Sequence, residues 1–201
     1  MTTKFALLGD SIAWGQGAAR AQDRLGPRLT EGLTLRGYDV THRVFAVPGA
    51  RSSGLASQVG KAARWEPNLV LIVVGANDLT HLEPTERAVG ALSEAVSALR
   101  TSGEVVVAPA PDLSAVPYVP EALREVVRAA GDAFREQQIR AVLDAGGHLA
   151  DPDQRASRAF ATDPGLFSSD RFHPSSAGYA VIADSILPGL LAAAARLDPA
   201  A

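Results

Sequence analysis

The chain has 201 residues, long enough for one compact domain, and 47% hydrophobic against 20% charged residues is the balance of a folded chain rather than a disordered one. A formal net charge of −3 provides no basic excess to neutralise phosphates, which argues against a nucleic-acid partner. Cysteine is absent, so disulfides, thiolate catalysis and cysteine-ligated zinc or iron–sulfur centres are excluded.

The first apolar run is Phe5–Leu8. It is too short for a signal-peptide core and no cleavage-site pattern follows, so the expected location is the cytoplasm. Val40–Val47, Leu69–Val74, Val105–Ala108 and a weaker His148–Ala150 read as further strands. Between them lie segments with helical spacing. Leu25, Leu29 and Leu33 recur every four residues, and Val89, Leu92, Val96 and Leu99 share one helical face. Leu123, Val127, Ala130 and Phe134 mark a third helix with Pro120 in its first turn, and Tyr179, Ile182 and Ile186 mark a last one beyond His173-Pro174. The longest apolar tract, Ile186–Ala195, is broken by Pro188-Gly189 and predicts no membrane span. Strand–helix alternation repeated about five times predicts an α/β fold, a parallel sheet with helices on both faces. No internal repeat, linker or second domain is visible, so residues 1–201 read as one domain with two long loops, 109–120 and 151–171.

Ligands of an open parallel sheet bind outside the carboxyl ends of its strands. The polar residues at those ends are Asp10-Ser11, then Gly49 after Pro48, then Asn77-Asp78, then Asp112, and finally Asp170 and His173 before the last helix. These residue types suit acyl transfer. A serine hydroxyl becomes a nucleophile when a histidine accepts its proton, and that histidine needs a carboxylate to fix its tautomer. The oxyanion formed by attack needs preorganised donors, such as an asparagine amide or the N–H of a glycine whose missing Cβ permits close approach. Each piece alone has an ordinary reading. Gly-Asp-Ser fits a strand-to-helix turn, Gly-Ala-Asn-Asp a turn after a strand, and Asp-x-x-His-Pro a helix start capped by Ser175 or Ser176.

Taken together, the chain resembles the SGNH (GDSL) hydrolases. Gly9-Asp10-Ser11-Ile12 matches their first block with Ile for the usual Leu, and Ala46 to Gly54 matches the glycine block, with Pro48 stiffening the turn before Gly49. Gly75-Ala76-Asn77-Asp78 and Asp170-Arg171-Phe172-His173-Pro174 match the remaining two, in family order. The resemblance implies a flavodoxin-like three-layer α/β/α sandwich of about five parallel strands. It implies Ser11 as nucleophile, His173 as general base and then acid, Asp170 as its orienting carboxylate, and the Ser11 N–H, Gly49 N–H and Asn77 side chain as oxyanion hole. The implied function is a serine-dependent esterase or lipase acting on a small-molecule acyl ester, with no cofactor. An acyltransferase passing the acyl group to an alcohol or sugar would share the same acyl-enzyme. A binding domain on this scaffold would have no need of the intact set.

The other histidines have plainer readings. His42 and His148 lie in strands, and a metal set of Asp78, His81 and Glu83 reads as ordinary solvated loop residues. Gly15 and Gly17 fall short of a dinucleotide fingerprint because Arg20 stands where its third glycine belongs. Substrate contacts are expected from Leu79, Asp112, Val116, Tyr118 and Phe172, whose apolar members suit an acyl group of some hydrophobicity.

Overall fold

The computed structural model describes residues 2–197. Thr3–Gly9 (β1) and Leu69–Val73 (β3) pair in parallel, with Phe5 beside Leu69 and Gly9 beside Val73. Val40–Val44 (β2) pairs with β1 on its other side, Glu104–Ala108 (β4) with β3, and His148–Leu149 (β5) with β4. The order β2-β1-β3-β4-β5 is that of a flavodoxin-like doubly wound sheet, whose switch point lies between β1 and β3.

Alternation along β1 sorts its side chains into two cores. Phe5 and Leu7 join Leu25, Leu29 and Leu33 of Leu25–Thr34 (α2) and Tyr179, Ile182 and Ile186 of Ser176–Ala194 (α8). Ala6 and Leu8 face Leu55 of Leu55–Ala63 (α3), Leu92 and Leu99 of Thr85–Arg100 (α5), and Val142 of Arg124–Asp144 (α6). Helices on both faces keep the whole of β3 dry, which is why its sequence is continuously apolar. Three shorter helices, Ser11–Trp14 (α1), Ala76–Thr80 (α4) and Arg155–Thr162 (α7), stand near the strand ends.

Several elements differ from the sequence reading. β2 stops at Val44, and residues 45–47 run on irregularly toward Gly49, still tied to β1 by the Phe45 N–H on the Leu7 carbonyl at 2.8 Å and the Val47 N–H on the Gly9 carbonyl at 3.0 Å. α3 lacked a sequence signal, and α7 occupies part of the segment read as a loop. Only Ala156, Ala159 and Phe160 give α7 an apolar side, and its start is fixed by Asp151, whose carboxylate accepts the N–H groups of Arg155 and Ala156 at 2.7 and 3.0 Å. α6 begins at Arg124, after a 3₁₀ turn over Glu121–Leu123, and its buried side is Gly131, Phe134, Arg135, Gln138 and Val142 rather than Leu123 and Ala130. Polar residues on the inner side of that helix defeat an apolar-periodicity reading. α8 runs through Pro188, so it is longer than the broken tract suggested. At 19 residues and a mean hydropathy of 1.5 it is long and apolar enough to cross a membrane, but its Tyr179, Ile186 and Leu190 are buried against the sheet, as in any core helix.

Two buried glutamines finish the strand ends. Gln58 of α3 accepts the Gly9 N–H at 2.7 Å and donates to the Gly9 carbonyl at 2.9 Å, just where β2 has stopped. Gln138 of α6 accepts the Ala110 N–H at 2.8 Å and donates to the Val74 carbonyl at 3.3 Å. Buried main-chain groups require such partners. Gln58→Leu strands the Gly9 amide in a dry site, and urea unfolding is expected to show a loss of about 2 kcal/mol.

Candidate active site

The turn after β1 is built to present Ser11. The Asp10 N–H donates to the Val73 carbonyl at 3.0 Å, and Oδ1 of Asp10 caps α1 by accepting the Ile12 N–H at 2.9 Å. Ser11 is thereby the first residue of α1, and its own N–H has no protein acceptor among the described residues. Behind it the chain folds back tightly. Gly17 has φ +93°, and a Cβ there would meet the Pro174 carbonyl oxygen at 2.5 Å and the His173 Cβ at 3.0 Å, so only glycine lets this loop lie under the histidine. Tyr179 of α8, fully buried, donates to the Gln16 carbonyl at 2.8 Å and ties the same loop to the helix that follows His173.

The segment from Ser168 to Pro174 is organised by Asp170. Oδ1 accepts the Phe172 and His173 N–H groups, both at 2.9 Å, and the Ser168 hydroxyl at 2.8 Å. Oδ2 accepts Nδ1–H of His173 at 2.6 Å. With its proton on Nδ1, the imidazole turns Nε2 toward the Ser11 hydroxyl, 3.0 Å away across 162 positions of sequence. Partial desolvation raises the Asp170 pKa, but the donors from His173, Phe172 and Ser168 outweigh it and hold the carboxyl well below the usual range. Asp170 therefore stays ionised beside the ring. Ser175 caps α8 by accepting the Gly178 N–H at 3.2 Å, so the block that carries His173 is also a helix start.

The loop after β2 is braced against α4. Asn77 donates to the Ala50 carbonyl at 3.0 Å, and Asp78 accepts both the Ser52 N–H at 3.0 Å and the Ser52 hydroxyl at 2.9 Å. Arg51 pairs with Glu83 at 2.8 Å. These contacts hold the turn at Gly49, exposed and at φ +79°, through the neighbouring Ala50 carbonyl, with a Gly49 N–H that has no protein acceptor among the described residues. The set Asp78, His81 and Glu83 does not converge: Asp78 is held by Ser52, Glu83 by Arg51, and the His81 ring lies 2.9 Å from the Asn77 carbonyl. Among the described residues no group of three His, Cys, Asp or Glu side chains could hold a metal ion. His42 pairs with the Thr30 hydroxyl and His148 with Glu104, both away from Ser11.

Beside Ser11 and His173 opens a cleft of ≈ 80 Å³, lined also by Asn77, Asp112, Val116 and Phe172. Two expected contacts fall outside it. Leu79 packs instead with Ala88, Ala110 and Phe134, because it points to the far side of α4. Tyr118 is exposed, donates to the Asp170 carbonyl at 2.9 Å and lies under the Arg171 guanidinium, so it braces the Asp170 segment from outside. Conversely, Phe160, Phe167 and Ile182 line the cleft and were not anticipated. Phe160 belongs to the unpredicted α7, and Ile182 carried only a core signal.

Residues 7–181 match the profile of the GDSL-like lipase/acylhydrolase family. A GDSL-like esterase of Mycobacterium tuberculosis is 34% identical over 194 residues, covering 92% of this chain, while the chain spans 60% of the length of that relative. Among solved structures, a psychrotrophic esterase from Pseudoalteromonas sp. gives a TM-score of 0.73 at 18% identity, covering 94% of this chain and 97% of that one. An acetylxylan esterase from Geobacillus stearothermophilus gives 0.74 at 16% identity, covering 94% of each chain. At these identities the structural likeness is one of fold.

One titration is separable from the Ser11–His173 contact. Burial pushes the Asp10 carboxyl up to about 7, the nearby Asp78 charge adds to this, and the Ile12 N–H only partly opposes it. Its Oδ2 is buried with no hydrogen-bond partner among the described residues. A carboxyl that holds its proton more tightly folded than unfolded contributes stability below its ordinary range and loses it as pH rises through about 7. Asp10→Asn removes that titration. Between about pH 4 and 8, wild type is expected to lose roughly 1–4 kcal/mol relative to the variant, read from urea midpoints at each pH.

Proposed function

The chain belongs to the GDSL-like lipase/acylhydrolase family, and we propose that it is a carboxylic ester hydrolase working through an acyl-enzyme on Ser11. The observation that carries this reading is the unbroken relay from Asp170 Oδ2 to His173 Nδ1 at 2.6 Å and from His173 Nε2 to Ser11 Oγ at 3.0 Å. Ser11 Oγ attacks the ester carbonyl carbon while its proton passes to Nε2 of His173. Asp170, held ionised, stabilises the imidazolium without taking a proton. The Ser11 and Gly49 N–H groups and the second N–H of the Asn77 amide receive the oxyanion.

Collapse breaks the bond to the alcohol oxygen, which leaves with the proton from Nε2. Water then attacks the acyl carbon and gives its proton to Nε2. The second tetrahedral species collapses, and that proton returns to Ser11 Oγ as the acid departs. The exposed Gly49 turn and the partly exposed Asp170 leave the mouth of the site open to water, which supports water over a larger alcohol as acyl acceptor.

A fluorophosphonate probe is expected to label wild type stoichiometrically and to leave Ser11→Ala unlabelled. Labelling of Ser11→Ala to the wild-type level would remove Ser11 from the role. Asn77→Ala is expected to lower kcat on p-nitrophenyl acetate by roughly 10²–10³ with little change in KM.

A further inference from the structure

The cleft beside Ser11 is backed by a second cavity of ≈ 60 Å³. The two share Ile12, Pro111, Ala156, Ser157 and Ile182 as lining residues. Beyond those residues the second chamber runs under the carboxyl ends of the sheet, between Val73, Ala108, Ala150 and Ile186. Its one cation, Arg135, is buried and engaged by the carbonyls of Ala110, Asp151 and Pro152 at 3.4, 2.8 and 3.3 Å. In the first chamber Asp112 is the single carboxylate, and it is paired with Arg128 at 3.4 Å. Elsewhere the lining is mostly apolar, with Phe160 and Phe167 in edge-to-face contact, ring centroids 4.9 Å apart.

We propose that this cleft is the acyl side of the site, and that the wall shared by the two chambers limits the acyl group to a short, uncharged chain. The inference rests on the ester-hydrolase reading. Gly49 sits on the exposed turn after β2, and Asn77 of α4 stands at one side of the cleft. From there the cleft extends toward α7 and α8, mostly apolar and without a free cation to greet a second carboxylate. At ~10–15 Å³ per water-sized group, the first chamber holds on the order of half a dozen non-hydrogen atoms. A longer chain must pass Ile182 of α8 and the small side chains Ala156 and Ser157 of α7 to reach the second. Those three are specificity-determining positions: Ile182 keeps the passage narrow, and Ala156 and Ser157 keep it from closing.

The test is the ratio of kcat/KM values along p-nitrophenyl esters from acetate to decanoate, with a parallel series of acetates of lengthening alcohols. Wild type is expected to fall about tenfold or more between butanoate and octanoate. Ile182→Ala, with Ile182→Val as the variant less costly to the core, is expected to raise the octanoate-to-butanoate ratio by about tenfold and about threefold respectively. Ala156→Phe, on a surface helix, is expected to lower the hexanoate-to-acetate ratio by about tenfold. Ratios within twofold of wild type in all three, with fluorophosphonate labelling intact, would overturn the inference while leaving the hydrolase reading in place. A shift confined to the alcohol series would overturn it too, by assigning the cleft to the leaving group. Wild type that is neither labelled nor active on any ester would overturn both.

Discussion

The parallel pairing of β1 with β3 stops two strands at one level, Gly9 beside Val73, and obliges the chain to turn at both ends together. The turn from β1 yields Ser11, and the turn from β3 yields Asn77. Because the two strands are neighbours at the switch point of the sheet, those turns face one crevice. The pairing reaches one residue beyond the strand, through the Asp10 N–H on the Val73 carbonyl. Gln58 and Gln138 finish the groups the ladders leave over. A shift of one residue in this register would move Ser11 relative to Asn77 and turn the two faces of β1 into the wrong cores. Dry packing on both faces and the geometry of the site are therefore set by the same hydrogen bonds.

Around that frame, order is supplied before any ligand arrives. Four donors converge on Asp170, the Gly15–Gly17 turn lies beneath His173, and Asn77 and Gly49 are fixed through Ala50 and Ser52. Preorganised dipoles need little rearrangement as charge develops, which is how such a site lowers a barrier. The arrangement carries a local cost. Asp10 is buried with an oxygen that no described residue satisfies, and burial raises the pKa of both it and Asp78. Local rules of stability are broken most often where function constrains the chain.

Much of this was legible in the sequence because apolar periodicity and strand-end chemistry are local signals. Val105–Ala108 and Leu25–Leu33 announce themselves within a few residues, and Ser11, Gly49, Asn77, Asp170 and His173 each follow or precede an element that does. What escaped reading was written in side chains whose partner is distant in sequence. Gln58 looks like any surface glutamine until Gly9 is placed against it, 49 positions away. Arg135 and Gln138 disguise the inner side of α6, and Phe160 sits on a helix whose start depends on Asp151. Leu79 and Tyr118 were misplaced for a related reason. Proximity in sequence to a site residue does not say which way a helix or loop turns its side chains.

The lengths of the outer strands have a consequence for how molecules of this chain meet one another. A parallel sheet leaves two open rims, each a row of unsatisfied main-chain groups that another strand could join. Here one rim is β5, only two residues long, and the other is β2, five residues long, with the Arg43 guanidinium lying over Trp65, 5.1 Å from the ring centroid. A very short rim, as at β5, or charged side chains along a longer one, as at β2, are how β structures resist edge-to-edge growth. An intruding strand would find few bonds to make and a guanidinium to desolvate. The buried, mostly apolar strands that build the core, β1, β3 and β4, are shielded in the interior of the sheet, so the fold keeps its stickiest segments away from strangers.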